Sequence, residues 1–570
     1  MPPCHFKGLT MTVFIIIAAN IAVAVDLIRC RCFPGDTCWP SNDDWAHFNA
    51  SVNGQLVATV PIATPCHDPS FDAGQCKALQ DHWTEPSLHF ETSSSVMAPF
   101  FANQSCDPFL PRESSCELGN YINYAINVTE PSHIAKGIAF ATERNIRLVI
   151  RNTGHDYNGK STGAGSLGIW THHLKDIMFF DHRDDHYTGK AYKIGAGVQG
   201  IDLYEASHKI GLTVISGECP TVGVAGGYTQ GGGHSALASK YGLAADQVLA
   251  WEVITGTGEV LTATRANNTD LFWALSGGGG GTYSVVWSLT AKAHPDVPVS
   301  GANLSWTSDG LSQETFFKSV AAYHAWTPTI VDAGAMSLGF GSNISFSVGP
   351  VTAPGVPSEE LRKLLQPLLD QLDDLGINYT TPVVRQFSGY LEEFKAMMPD
   401  LTVATQQYGG WLLPRSVVLD NPDGLAKAYA NITNGGAAGF TSVALNVNRT
   451  ISGEVHNAVN PAWRTALLDV IITTNYNSIA PLSDMVKLQE DMTDKFIPPL
   501  KALAPDSGVY LNEGDWHDPD WKQAFYGVNY DTLKSIKKKY DPNDIFYATT
   551  AVGSDEWVIE GPGRVCRVPA

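Results

Sequence analysis

Apolar and polar positions change period several times along the chain. The β-branched run Ile146-Arg147-Leu148-Val149-Ile150 predicts a buried strand, and it empties into a loop of glycines and small polar residues from Arg151 to Ser161. Ahead of it, 124–128 is strand-like, Thr129-Glu130-Pro131-Ser132 supplies a helix start, and Ile134, Ile138 and Ala141 recur at helical spacing. Strand, helix, strand and glycine-rich loop read as the beginning of a βαβ unit. Downstream, 192–198 predicts a strand, 201–210 a helix, and 213–216 a short buried strand aimed at Cys219. The apolar run 249–255 predicts a strand that turns through 256–259 into 260–262. Glycines 277–281 precede a strand and open no helix, which excludes a Rossmann dinucleotide fingerprint.

Beyond Pro295-Asp296-Val297-Pro298 the pattern changes. An amphipathic helix is predicted over 359–375, a strand-rich region follows, and 463–476 and 482–503 alternate short strand and helix signals. A last helix is expected over 531–539. Between 25 and 119, Pro, Ser and Cys are dense and helical period is weak, so an irregular, disulfide-stapled region is expected. The 570 residues exceed the roughly 250–300 that one core accommodates, so two lobes are expected. The expected division is a leader at 1–24, the disulfide-rich region at 25–119, a first domain at 120–297, a second at 298–503, and a returning segment at 504–570. The fold class is α+β.

Composition adds compartment and excludes partners. Lys7, an apolar run from Met11 to Val25 and the small triplet Ala22-Val23-Ala24 have the layout of a secretory signal cleaved after Ala24. That run is shorter than the ~20 residues a membrane span needs, so no membrane partner is expected. Glycosylation sequons at Asn49, Asn103, Asn127, Asn267, Asn303, Asn343, Asn378, Asn431 and Asn448 agree with export. A formal charge of −20 argues against nucleic acid, whose phosphates require clustered Lys and Arg. Of ten cysteines, Cys4 lies in the leader, which leaves an odd nine. An odd count in an oxidising compartment implies one thiol with another task. Cys219 stands apart from the others and is the candidate; the remaining eight suffice for four disulfides of undetermined pairing.

Two stretches carry the chemistry. Arg151-Asn152-Thr153-Gly154-His155-Asp156-Tyr157-Asn158-Gly159-Lys160-Ser161 offers backbone amides that glycine turns toward one point, a phosphate cradle with a histidine inside it. Gly217-Glu218-Cys219-Pro220-Thr221-Val222-Gly223 offers a thiol, and backbone amides near Gly223, Gly226 and Gly227 could stabilise its thiolate. Gly226-Gly227 and Gly231-Gly232-Gly233-His234 hold more glycine than turning requires, which suits a planar or phosphorylated ligand against bare backbone. Either residue alone reads equally well as a hydrogen-bonded core histidine or an inert thiol; together at this spacing they favour a site. No zinc-type ligand spacing is present, His172-His173 lies at a plain strand end, and no metal is expected. There is no G-x-S-x-G elbow of a hydrolase.

These residues resemble the berberine-bridge-enzyme-like branch of the vanillyl-alcohol-oxidase superfamily, over roughly 121–295 and again over 510–557. The resemblance implies a PCMH-type, two-part FAD-binding domain and a substrate domain with an antiparallel sheet covered by helices. In the family, the R-x-x-G-H-x-Y-x-G-x-S pattern wraps the FAD pyrophosphate and its histidine bonds to the flavin 8α-methyl; here these are Arg151, Asn152, Thr153, Gly154, His155, Asp156, Tyr157, Gly159 and Ser161. The C-P-x-V-G cysteine, here Cys219, attaches to flavin C6, so bicovalent FAD is implied. Val222 matches the position that gates oxygen, where valine goes with oxidases. Gly223, Gly226, Gly227, Tyr526 and Asn529 complete the implied cofactor set. The disulfide-rich start around Cys32 and Cys38 is similar to secreted fungal alcohol oxidases of the isoamyl alcohol oxidase type.

The family's Y-x-N-Y-x-D motif appears here as Tyr510-Leu511-Asn512-Glu513-Gly514-Asp515. Glu513 replaces the tyrosine beside the reacting carbon, so the implied catalytic set is Glu513, Asp515 and Tyr510, with Glu513 either a base or a neighbour that orients substrate or binds a cation. The leading expectation is a secreted, monomeric oxidase that moves hydride from an alcohol-type or secondary-metabolite substrate to flavin and reduces O2 to hydrogen peroxide. A flavin-dependent cyclase or dehydrogenase is the alternative, and a disulfide-stapled binding glycoprotein without flavin is a third.

Overall fold

The structure, a computed structural model, describes residues 29–453 and 455–569. The expected leader at 1–24 lies outside the described residues. Among the described residues, no helix is long and apolar enough to cross a membrane.

The strands Tyr124–Asn127 and Arg147–Arg151 form as expected, joined by the helix Pro131–Glu143. Ile134, Ile138 and Ala141 are buried on one face of that helix. Pro131 occupies the first turn, where a missing N–H leaves no helical bond unmade. The two strands do not pair with each other, because Ser166–Trp170 slots between them, parallel to both. The chain after Arg151 therefore leaves the sheet at the carboxyl ends of parallel strands, where open sheets gather their ligands.

A second, antiparallel sheet runs in the order Ile177–Arg183, Thr188–Gly195, Ser284–Lys292, Val248–Thr255, Val260–Thr264. Glycines 277–281 feed its Ser284–Lys292 strand, as the pattern predicts. Of the expected strand at 213–216, only Leu212–Thr213 forms a ladder, with His294–Pro295. Val214, Ile215 and Ser216 are buried but leave that ladder, carrying Gly217 to Cys219 inward.

Residues 298–503 build a seven-stranded antiparallel sheet in the order Val383–Phe387, Val299–Thr307, Ser345–Pro354, Met336–Gly341, Ala438–Ala444, Ala466–Asn475, Gln406–Pro414. Helices Gln313–Val331, Ser358–Asp374 and Pro422–Thr433 pack together on its outer side. Leu361, Leu365, Leu368 and Leu372 form the buried stripe of Ser358–Asp374. Burying each such side chain is worth about 1.5–3 kcal/mol. Side chains alternate along a strand, so Ser337 and Ser442 face Tyr323 and His324 of the helix layer. Their neighbours Leu338, Thr441 and Val443 face an interior cavity.

The 25–119 region is more ordered than its weak periodicity predicts. Helices Asn42–Ser51 and Ala73–His82 form there, the first closed by a capping box between Ser41 and Asp44, the second started by Asp72. Both are short, and neither rests on an aliphatic stripe: the first buries Trp45 and Phe48, which stacks on Phe140 at 4.1 Å, and the second buries Cys76 in its disulfide to Cys66. Four disulfides form, Cys30–Cys566, Cys32–Cys38, Cys66–Cys76 and Cys106–Cys116, and Cys219 is free. The returning segment carries the helix Tyr530–Tyr540 as expected, and Phe546 bridges to Leu148 of the first sheet.

A buried ion pair ties the first half of the chain to the second. Arg464 Nη1 and Nη2 donate to the two oxygens of Asp246 at 2.9 and 2.8 Å. Leu243 N and Asn457 Nδ2 complete the carboxylate's contacts. Arg464→Ala leaves this carboxylate buried without its counter-ion and is expected to destabilise the fold by about 3–5 kcal/mol in urea unfolding. The double variant with Asp246→Asn should recover part of that loss.

Candidate functional site

One cavity of about 740 Å³ lies between the first half of the chain and the seven-stranded sheet. The loop after Arg151 forms one wall. Gly154 has φ +85, and a Cβ there would lie 2.7 Å from the Arg151 guanidinium, so the loop packs tightly on its own support. Arg151 itself points away from the cavity and donates to His89 O at 3.1 Å.

His155 and Cys219, sixty-four positions apart, meet at one hydroxyl. Thr221 Oγ1 lies 2.7 Å from His155 Nε2 and 3.6 Å from Cys219 Sγ. Burial, helped by His89 and Arg151, pulls the His155 imidazole down to about 3, so it is neutral and one ring nitrogen is unprotonated. Burial pushes the Cys219 thiol up. Hydrogen bonds from Thr221 and Val222 partly offset this, whereas Gly223, Gly226 and Gly227, expected to supply the stabilising amides, do not.

Those glycines make bare backbone wall instead. A Cβ on Gly223 would lie 2.7 Å from the Asn152 amide, and one on Gly280 would lie 3.0 Å from Gly227 Cα. Val222 lines the cavity beside them.

A buried charge cluster begins at Glu218, the residue before Cys219. His234 Nδ1 is 3.1 Å from Glu218 Oε2, and His234 Nε2 is 3.2 Å from Glu513 Oε1. Burial alone would lower this imidazole, but the two carboxylates outweigh it and hold His234 well above its ordinary value. Glu513 is fixed through its backbone N–H to Tyr510 O at 2.9 Å. Asn512 donates to Gly227 O and to Tyr510 Oη, which locks this segment to the glycine wall. Burial and Glu513 push the Tyr510 phenol well up, so it stays protonated. Asp469, fully buried behind Glu513, is pushed well up by burial and by Glu513.

The expected residues divide into two groups. Asn152, Thr153, Gly154, His155, Asp156, Tyr157, Ser161, Cys219, Val222, Gly223, Gly226, Gly227, Tyr510 and Glu513 all line the cavity. Five others do not reach its wall. Arg151 braces the loop from behind, and Gly159 packs against the Phe101 ring. Asp515 accepts from Gln489 at 2.9 Å and Thr493 at 2.7 Å, so both its oxygens are occupied. Tyr526 donates to Thr550 O, and Asn529 donates to Ala458 O. These five support the site and do not face it.

Sequence reasoning assigned no role to Glu218 or His234, although both stand in the glycine-rich stretches. It also passed over Asp469, a lone acid in the apolar strand Ala466–Asn475, where period two puts it on the same face as Ile471 and Thr473 of the cavity wall. Lys160, whose ammonium burial pulls down to about 8, is a further cation on the loop side.

The cavity suits a flavin dinucleotide. It presents glycine walls, neutral His155 beside Cys219, and a cation in Lys160. Asn152 Oδ1 and Asn158 Oδ1 are buried there without a partner among the described residues, and an exogenous donor would satisfy them.

Comparison with known proteins agrees. Residues 122–264 match the family described as FAD binding domain, and residues 509–553 match the one described as berberine and berberine like. The chain is 50% identical to the FAD-linked oxidoreductase patO of Aspergillus clavatus, over 95% of this chain and 94% of that relative. It is 39% identical to the bifunctional decalin synthase calF of Penicillium decumbens, over 99% and 100%. Among solved structures, the VAO-type flavoprotein MtVAO615 from Myceliophthora thermophila C1 superposes with a TM-score of 0.90 at 39% identity, covering 95% of this chain and 100% of that one.

Because the imidazolium of His234 is held above the ordinary imidazole value of 6.5, its stabilising contribution is whole below that value and fades as pH rises through the elevated folded one. Thermal unfolding of wild type and His234→Gln is therefore expected to differ most between the carboxylate range and 6.5, with the gap narrowing in alkali.

Proposed function

Since this chain belongs to the berberine-bridge-like branch of the VAO-type flavoproteins and is an FAD-linked oxidoreductase, we propose that it is a secreted oxidase holding FAD through both His155 and Cys219. The observation that carries this reading is the meeting of His155 and Cys219 at Thr221, in a cavity that Glu513 also lines. FAD, when bound, supplies the hydride acceptor and the electrons that reduce O2 to hydrogen peroxide.

The protein's own residues do the rest. Tethering at two points removes the cofactor's freedom before substrate arrives. Glu513 takes the hydroxyl proton of an alcohol-type substrate, in the role that the related motif gives to tyrosine. Tyr510, held protonated, and Asn512 fix the backbone that carries Glu513. Val222 leaves a path for O2. Asp515 serves by position, anchoring the turn that presents Glu513.

The substrate enters against the seven-stranded sheet. Ser342, Ser345, Ser347, Thr441 and Thr473 line that wall together with Leu338 and Phe340. Hydroxyls interleaved with apolar side chains suit a mid-sized, hydroxylated organic molecule of the secondary-metabolite class. Export is supported by the four disulfides and by the nine sequon asparagines, none of which is buried. The oxidase acts as a monomer without membrane or nucleic acid.

The relative described as a decalin synthase favours a second reading, in which oxidation ends in ring closure. Stoichiometric peroxide release from a simple alcohol would separate the two.

Purified protein should be yellow, and its acid precipitate should stay yellow. Cys219→Ala should keep the colour through His155, and the double variant with His155→Ala should release it to the supernatant. A colourless wild-type precipitate would retire the covalent reading. In a peroxide-coupled screen of alcohols, Glu513→Gln is expected to lower kcat by about 10²- to 10⁴-fold, the usual worth of a positioned base.

A further inference from the structure

Asp469 is the acid that the proposed reaction leaves without a task. It is 1% exposed and stands on the Ala466–Asn475 strand, on the face turned toward the cavity. Neither of its oxygens has a conventional hydrogen-bond partner among the described residues. Glu513 Oε2 is buried and equally without a partner. A ligand atom of Asp469, one of Glu513 and one of His234 lie within 4.8 Å of one another. The groups facing Asp469 are Glu513, His234 and Glu218, with the Tyr510 phenol beside them.

Two carboxylates this close, away from water, do not both carry charge. His234 neutralises part of the cluster, but it is spent between Glu218 and Glu513. One proton placed between Asp469 and Glu513 pairs the orphaned Glu513 Oε2 with one of the two orphaned Asp469 oxygens.

We propose that Asp469 and Glu513 work as a carboxylic acid–carboxylate pair, in which Asp469 keeps the proton and donates it as a hydrogen bond to Glu513. Asp469 is then a positioning residue. It fixes the rotamer of Glu513 through Oε2, while Oε1, already beside His234, keeps a second lone pair for the substrate hydroxyl. When that substrate gives up its proton, its O–H bond breaks and an O–H bond to Glu513 forms, while the proton on Asp469 does not move. Asp469 does not reach the cavity wall itself, so it acts only through Glu513. The inference deepens the proposed role of Glu513 and rests on that reading for its consequence in turnover. The shared proton is a property of the resting protein.

Isotope-edited infrared spectroscopy of the full-length holoprotein at neutral pH tests this without any substrate. The wild-type minus Asp469→Asn difference spectrum is expected to show one protonated carboxyl C=O stretch, which shifts when aspartate is ¹³C-labelled at its carboxyl carbon. Asp107, Asp515 and Glu393, which burial also pushes toward the protonated form, are present in both proteins and cancel. In Glu513→Gln, the negative neighbour is gone and the amide can donate to Asp469, so the aspartic acid band should titrate away at lower pH than in wild type.

A difference spectrum with no protonated band, or a band that moves with labelled glutamate instead, would overturn the assignment. So would an aspartic acid band indifferent to Glu513→Gln. Because none of these readings depends on turnover, a protein that shows the band yet releases no peroxide would keep the pair and lose only the oxidase.

Discussion

Thr221 Oγ1 stands between an imidazole and a thiol that the chain keeps sixty-four residues apart, and the rest of the site depends on that meeting. Neither group is charged in its surroundings, since burial disfavours both the imidazolium and the thiolate. Two uncharged groups at the edge of one cavity are suited to bond an electron-poor ring once the thiol gives up its proton. The parallel strands bring the first group there, and the segment that leaves the Leu212–Thr213 ladder brings the second.

The neighbouring charge cluster works by the reverse principle, with charge concentrated instead of suppressed. Glu218, His234, Glu513 and Asp469 come from four separate stretches of sequence and share one buried volume. Such a cluster persists only where its protons are distributed so that like charges do not face each other. The backbone enforces it: glycines 231–233 deliver His234, and Asn512 ties the Glu513 segment to Gly227. The Arg464–Asp246 pair, also fully engaged, keeps the second half of the chain against the first, so that Asp469 and Glu513 stay in reach of His234 and Glu218.

Much of this is legible in the order of the residues alone. The β-branched run at 146–150, the helix start at Pro131 and the glycines that precede a strand instead of a helix all follow from local sterics, and local signals survive folding. Cysteine parity singles out Cys219 because covalent pairing is arithmetic. What stays hidden depends on long-range placement. Tyr526, Asn529 and Asp515 sit in the right motifs, yet they turn their polar atoms to Thr550, Ala458, Gln489 and Thr493. Asp469 reads as one acid in an apolar strand, and only the sheet's position over the cavity makes that acid informative. The N-terminal helices escape notice because caps, stacked aromatics in the first and a disulfide in the second, not an aliphatic stripe, hold them.

The most direct measurement is peptide mass spectrometry of the proteolysed, disulfide-reduced protein. If both side chains hold the cofactor, a single species is expected in which the peptide containing His155 and the peptide containing Cys219 are joined through one FAD. Recovery of both peptides at their unmodified masses, with free FAD in solution, would contradict that attachment.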